Sequence, residues 1–174
     1  MNHLFLIGFM GAGKSTVGRR VADTLGLPFL DLDEEIERAA GRSVAEIFAS
    51  EGEQAFRAAE SGVLASLADA EPAVVACGGG VVVDDENRRL LKALGHVIYL
   101  RVEADEALAR IGDTSGRPLL AHDDAAAMAS TLLAARETLY RTAADAVVDT
   151  SGTSVAEVAS EVVTVARSLR EAGG

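Results

Sequence analysis

With 174 residues, 49% of them hydrophobic and 25% charged, the chain can bury a sizeable core and reads as one globular domain over residues 1–174, with no sign of disorder. Its formal net charge of −11 argues against a nucleic-acid or anionic-membrane surface, because sequence-independent binding to either needs a basic face. The single cysteine, Cys77, excludes an internal disulfide and fits a reducing compartment, and no basic leader or bilayer-length apolar run is present, so a cytoplasmic protein is the expectation.

In chain order, the apolar run at residues 4–7 leads into Gly8-Phe9-Met10-Gly11-Ala12-Gly13-Lys14-Ser15-Thr16, which fits the P-loop pattern from Gly8 to Ser15. The glycines let successive backbone N–H groups turn inward around phosphate oxygens. Lys14 then reaches the β- and γ-phosphates, Ser15 offers a hydroxyl to Mg²⁺, and the helix opening here points its positive end at the polyphosphate. That helix is expected over residues 14–25, with Gly26 as its stop. Strands are expected at 4–8, 28–32, 73–77, 96–101 and 145–149, alternating with amphipathic segments as in a parallel sheet covered by helices.

Further helices are expected from Ser43, where Ser43-x-x-Glu46 makes a capping box, over residues 53–68, and from near Asp84, Ala104 and Asp124. The last opens with Ser154-x-x-Glu157 and keeps a three-four apolar spacing from Val155 to Leu169. Residues 112–124, polar and holding Gly112, Gly116 and Pro118, read as a mobile loop.

Ligands of open parallel sheets bind beyond the carboxyl ends of the strands, which directs attention to three places. In Asp31-Leu32-Asp33, strand alternation puts both carboxylates on one side. One could hold Mg²⁺ directly or through water and the other could take a proton from a hydroxyl; the alternative for Asp33 is to cap a helix beginning at Glu34-Glu35. Gly78-Gly79-Gly80 allows close backbone approach to a ligand, and equally a plain connection. Arg136 interrupts the apolar stripe of Leu132, Leu133, Leu139 and Tyr140, where an anionic ligand is a natural partner for a buried cation. Arg57 is placed either for such a ligand or for surface ion pairs with Glu53 and Glu60.

These motifs in this order resemble the shikimate kinase family along nearly the whole chain. The resemblance rests on residues 8–16, Asp31-Leu32-Asp33, residues 52–60, Gly78-Gly79-Gly80, Arg117-Pro118-Leu119-Leu120 and residues 136–140. It implies ATP-dependent phosphorylation of the shikimate 3-hydroxyl, to shikimate 3-phosphate and ADP, in aromatic amino-acid biosynthesis. It also implies a three-layer α/β sandwich with a five-stranded parallel sheet of order 2-3-1-4-5, a lid at about 112–124 and a substrate-binding region at about 33–61. Residue by residue, it gives Asp33 to the substrate hydroxyls as proton acceptor, Arg57 and Arg136 to the substrate carboxylate, and Gly79 and Gly80 to backbone contacts. Gly11, Ala12, Gly13, Lys14, Ser15 and Thr16 would surround the ATP phosphates with Arg117, and Arg110 would pack on adenine. Ser15 and, through water, Asp31 would hold Mg²⁺. The expected partners are shikimate and ATP, with no nucleic acid or membrane, and the expected state is a monomer.

The C-terminal loop at 149–154 departs from the family pattern of Arg or Pro near the base. Two rivals are a gluconate or nucleotide kinase of similar fold and a non-catalytic ATP-binding regulator. The paired arginines disfavour the first, and intact Lys14, Ser15, Asp33 and Arg117 disfavour the second.

Overall fold

The computed structural model describes residues 2–112, 120 and 124–172. Arg117 and most of the expected lid therefore lie outside the described residues. Five strands, β1 His3–Ile7, β2 Phe29–Asp31, β3 Val74–Ala76, β4 Gly95–Arg101 and β5 Ala146–Asp149, form one sheet of order β2-β3-β1-β4-β5. Every pairing is parallel, as the family resemblance implies. The central strand β1 is buried along its length, so its apolar residues serve both faces and no alternation appears.

The helices are α1 Lys14–Leu25, α2 Leu32–Ala40, α3 Val44–Ser66, α4 Asp85–Leu94, α5 Ala104–Ile111, α6 Ala125–Ala143 and α7 Val155–Ala172. Right-handed crossovers place a helix on one face when the chain steps one way along the sheet and on the other face when it steps back. Accordingly α1 packs with α7, while α4 packs with both α3 and α6. Caps lie where the sequence puts them. Gly26 closes α1 in the left-handed conformation, Ser43 and Glu46 form a reciprocal capping box, and Asp84 and Asp124 accept from the first turns of α4 and α6. Ser154 and Glu157 repeat the box at α7.

Within α3 the chain breaks at Gly52 (φ 84°, ψ 177°), which separates the two helical segments expected from Ser43 and over 53–68. The second of these ends in a short 3₁₀ turn, Leu67–Asp69. Ile36, Ile47 and Phe56 form a small apolar cluster of their own, distinct from the main core around the sheet. The region expected to bind substrate thus has separate internal packing.

One local expectation is corrected. The second strand ends at Asp31, not at residue 32, and Leu32 already opens α2. Asp31 is the N-cap, its Oδ1 accepting from the Asp33 backbone N–H at 3.0 Å, so Asp33 lies in the first turn and is not the cap. Leu32 is fully buried, and the two aspartates still reach the same cavity because the strand turns directly into the helix.

Candidate active site

The segments that follow β1, β2 and β3 converge at one end of the sheet, around three adjoining compartments. The middle one, about 210 Å³, is bounded by Gly11, Gly13, Lys14 and Ser15 after β1, by Asp31 and Asp33 after β2, and by Gly78 and Gly79 after β3. Gly13 takes the left-handed conformation (φ 88°) immediately before α1, which turns the loop's N–H groups inward toward the helix end. Lys14 is held in the cradle by its Nζ donating to the carbonyls of Gly8 (2.8 Å) and Phe9 (2.9 Å). Ala12 is buried and Thr16 exposed, so of the expected phosphate-binding residues Ala12 can contribute only backbone.

Ser15 Oγ donates to Asp31 Oδ2 at 2.5 Å, while the other oxygen of Asp31 caps α2. No group of three or more His, Cys, Asp or Glu able to hold a metal occurs among the described residues. A hydroxyl and one carboxylate oxygen beside a phosphate cradle fit Mg²⁺, which binds through one or two protein oxygens together with phosphates and water.

Gly11, Gly13 and Thr16 also border a second compartment of about 420 Å³, closed by Arg110, Thr150 and Thr153. Arg110 is fixed there by donating to the Thr150 carbonyl (2.7 Å), the Thr150 hydroxyl (3.0 Å) and Glu106 (2.5 Å). The divergent C-terminal loop is therefore tied to α5 through Thr150, whose hydroxyl in turn donates to the Arg101 carbonyl.

The third compartment, about 380 Å³, shares Met10, Asp33, Gly78 and Gly79 with the middle one and extends to Arg57, Glu60 and Arg136. Arg136 is 6% exposed, and its Nη1 lacks a hydrogen-bond partner among the described residues. The charge on an apolar stripe is thus a buried donor facing a cavity, a costly arrangement that an anion would offset. Arg57 makes both anticipated pairs, with Glu53 at 3.3 Å and Glu60 at 3.0 Å. Only the first is a surface pair, because Glu60 is fully buried. Gly80 lies against Arg57, and a Cβ there would come 2.2 Å from Nη2. The glycine triplet is therefore a contact surface as well as a connection.

Glu60 and Tyr140 are site features that residue-by-residue assignment overlooks. Burial pushes the Glu60 carboxyl up to about 7, against the opposing pull of Arg57. Its signal was in the sequence: Phe56, Glu60 and Leu64 follow the same i, i+4 stripe that marks Arg136, and Phe56 and Leu64 are buried. Tyr140 is fully buried and its hydroxyl donates to the Gly79 carbonyl. Nothing local foretells that bond, since its partners are 61 residues apart.

Comparison with known proteins agrees with this geometry. A family model described as shikimate kinase matches residues 10–167. The chain is 47% identical over 162 residues to the shikimate kinase of Halorhodospira halophila, covering 93% of this chain and 92% of that one. The structure of the Acinetobacter baumannii shikimate kinase in complex with shikimate superposes with a TM-score of 0.93 at 38% identity, over 97% of this chain and 94% of that one. A gluconokinase from Sinorhizobium meliloti shares the fold, with a TM-score of 0.58 at 18% identity over 99% and 98% of the two chains. Family model, sequence relatives and structure thus converge where the P-loop, the Asp31–Asp33 turn and the paired arginines already pointed, and the chain belongs to the shikimate kinase family.

Proposed function

We propose that Asp33, at the junction of the phosphate cradle and the arginine-lined compartment, receives the proton of the shikimate 3-hydroxyl as its oxygen attacks the γ-phosphorus of ATP. The enzyme is a kinase that phosphorylates shikimate with ATP, a step of aromatic amino-acid biosynthesis. In the transfer, the new bond joins the hydroxyl oxygen to phosphorus, the bond to the bridging oxygen breaks, and ADP leaves. The observation that carries the residue assignment is that Asp33 borders both compartments, with Lys14 and Ser15 on one side and Arg57 and Arg136 on the other.

Phosphoryl transfer needs positioning and charge stabilisation more than covalent help from the protein. In this reading Arg57 and Arg136 grip the carboxylate, and Gly79 and Gly80 meet the substrate through backbone. Lys14 and the N–H groups of residues 11–16 hold the phosphates, and Arg110 borders the adenine. Ser15 and Asp31 would hold Mg²⁺, directly and through water, and the ion would neutralise phosphate charge when bound. The single domain at 1–174, with its substrate-binding region at about 33–61 and lid at about 112–124, belongs to the same proposal. So does Arg117 as a residue acting on the phosphates; the support is sequence motif, together with the burial of Leu120 in the main core, which anchors the far side of that segment.

The enzyme is proposed to act as a cytoplasmic monomer without nucleic-acid or membrane partners, in keeping with its acidic charge and free buried Cys77; no described helix is long and apolar enough to cross a membrane. The test is ADP release with shikimate, gluconate and nucleoside monophosphates supplied in turn. Release with shikimate alone upholds the arginine-lined compartment as the shikimate site, release with gluconate or a nucleotide instead overturns it, and Asp33→Asn tests the proton acceptor.

A further inference from the structure

The Gly78–Gly80 segment must present its backbone at a fixed angle, yet three glycines in succession restrain themselves poorly. Two 3₁₀-type bonds tighten it, from Val81 N–H to the Gly78 carbonyl (3.1 Å) and from Val83 N–H to the Gly80 carbonyl (3.0 Å). Neither fixes the peptide between Gly79 and Gly80. That peptide is held from behind by Tyr140, whose hydroxyl donates to the Gly79 carbonyl. The described peptide bonds include none in the cis form, so this carbonyl and the following N–H point in opposite directions across a planar unit. Drawing the Gly79 oxygen toward buried Tyr140 therefore turns the Gly80 N–H toward the compartment that Gly79, Gly80 and Arg136 line and Tyr140 does not.

The hydroxyl itself has little freedom. The Tyr140 ring stacks on Tyr99 with centroids 4.9 Å apart and planes at 21°, and Tyr99 is anchored by its own hydroxyl donating to Glu137 at 2.6 Å. Arg136 stands one helical turn before Tyr140 on α6, with its guanidinium close enough to the phenol to act on it electrostatically. On the other side, a Cβ at Gly79 would lie 3.7 Å from Arg136 Nη1. The hydroxyl thus sits among the glycine peptide and the buried arginine at once.

We propose that Tyr140 is a positioning residue for the acceptor substrate: its hydroxyl sets the Gly79–Gly80 peptide so that the Gly80 N–H and the Arg136 guanidinium converge on one anionic group. The proposal rests on the reading that this compartment holds shikimate. Tyr140 touches neither substrate; it acts through Gly79 and Arg136.

Tyr140→Phe keeps the ring and its stacking and deletes only the hydroxyl. The expected result is a KM for shikimate raised by about three- to tenfold, the worth of one hydrogen bond, with the KM for ATP unchanged. Tyr99→Phe removes only the bond to Glu137 that anchors the stacked ring, leaves the Tyr140 hydroxyl on Gly79, and is expected to raise the shikimate KM less than Tyr140→Phe does, with the KM for ATP again unchanged. An unchanged shikimate KM in Tyr140→Phe, whatever happens to its Tm, overturns the proposal, as does an equal rise in both KM values. Arg136→Ala measured in parallel separates the two levels. If it raises the shikimate KM while Tyr140→Phe does not, only the role of Tyr140 falls; if it too leaves that KM unchanged, the site reading falls with it.

Discussion

Arg57 and Glu60 face each other one helical turn apart on α3, with Nη1 donating to Oε1 at 3.0 Å, and the carboxylate is fully buried whereas the guanidinium keeps 17% exposure. The burial cost falls on Glu60, whose pKa rises from its ordinary 4.5 to about 7 despite Arg57, with Asp33 adding to the rise and Arg136 opposing it. The folded protein therefore holds this proton more tightly than the unfolded chain, so stability from this group is full below 4.5 and is lost as pH rises to about 7, by on the order of 3 kcal/mol. On the proposed role of Arg57, an ionised Glu60 would also compete with the substrate carboxylate for its guanidinium. The shikimate KM should rise by up to about tenfold between pH 6 and 8, and Glu60→Gln should flatten that profile. A wild-type KM independent of pH over this range would remove Glu60 from substrate binding.

Asp33→Asn separates chemistry from structure more cleanly than the sequence promised. Because Asp31 supplies the cap of α2, an amide at position 33 disturbs no helix end. Turnover should fall by roughly 10²- to 10⁴-fold as the proton acceptor is lost, with Tm close to wild type. Near-normal turnover in a folded Asp33→Asn protein would assign the proton to another acceptor.

The sheet was legible because its signals are local: apolar runs of strand length, a P-loop pattern, and capping residues at fixed offsets. Arg136 was legible for a related reason, since one helix carries both the stripe and its interruption. Asp31 and Asp33 were placed on the correct side by an incorrect route, because strand alternation and a strand-to-helix turn both separate them from Leu32. What the sequence could not fix depends on packing between distant segments. Glu60 carries a partial signal in its stripe with Phe56 and Leu64, which becomes a buried carboxyl only once α3 packs that face, and the Tyr140 hydroxyl acquires meaning only when α6 is laid behind the turn after β3. The kink at Gly52 lay between these cases, expected from two separate helix starts and realised as a single positive-φ residue.

Asp31→Asn tests the metal side of the site. Asn is as good an N-cap as Asp, so α2 should persist, while the carboxylate beside Ser15 is neutralised. The Mg²⁺ concentration needed for half-maximal activity should rise about 10- to 100-fold, as when an outer-shell partner is lost, with Tm little changed. If the Mg²⁺ requirement stays the same, Asp31 serves only as the cap.

Two glycine-to-alanine changes should fail in opposite ways, because the obstacle each new Cβ meets is different. At Gly80 the Cβ would come 2.2 Å from Arg57 Nη2, the far end of a flexible side chain, and the backbone there (φ −100°, ψ 3°) is open to alanine. Arg57 can swing aside, so the fold should survive while its placement toward the cavity is lost. A charged hydrogen bond of this kind corresponds to roughly a 10- to 100-fold rise in the shikimate KM, with Tm nearly unchanged. At Gly8 the Cβ would meet the Leu100 carbonyl oxygen at 2.4 Å, with φ at +147°. That oxygen belongs to the neighbouring strand β4 and cannot yield without moving the sheet, so Gly8→Ala should lower Tm by roughly 3–10 °C as well as impair ATP binding. Thermal melts and steady-state kinetics on both variants decide the matter. A Gly80→Ala protein that loses stability and keeps its shikimate KM would show that Arg57 packs the fold and does not hold the substrate.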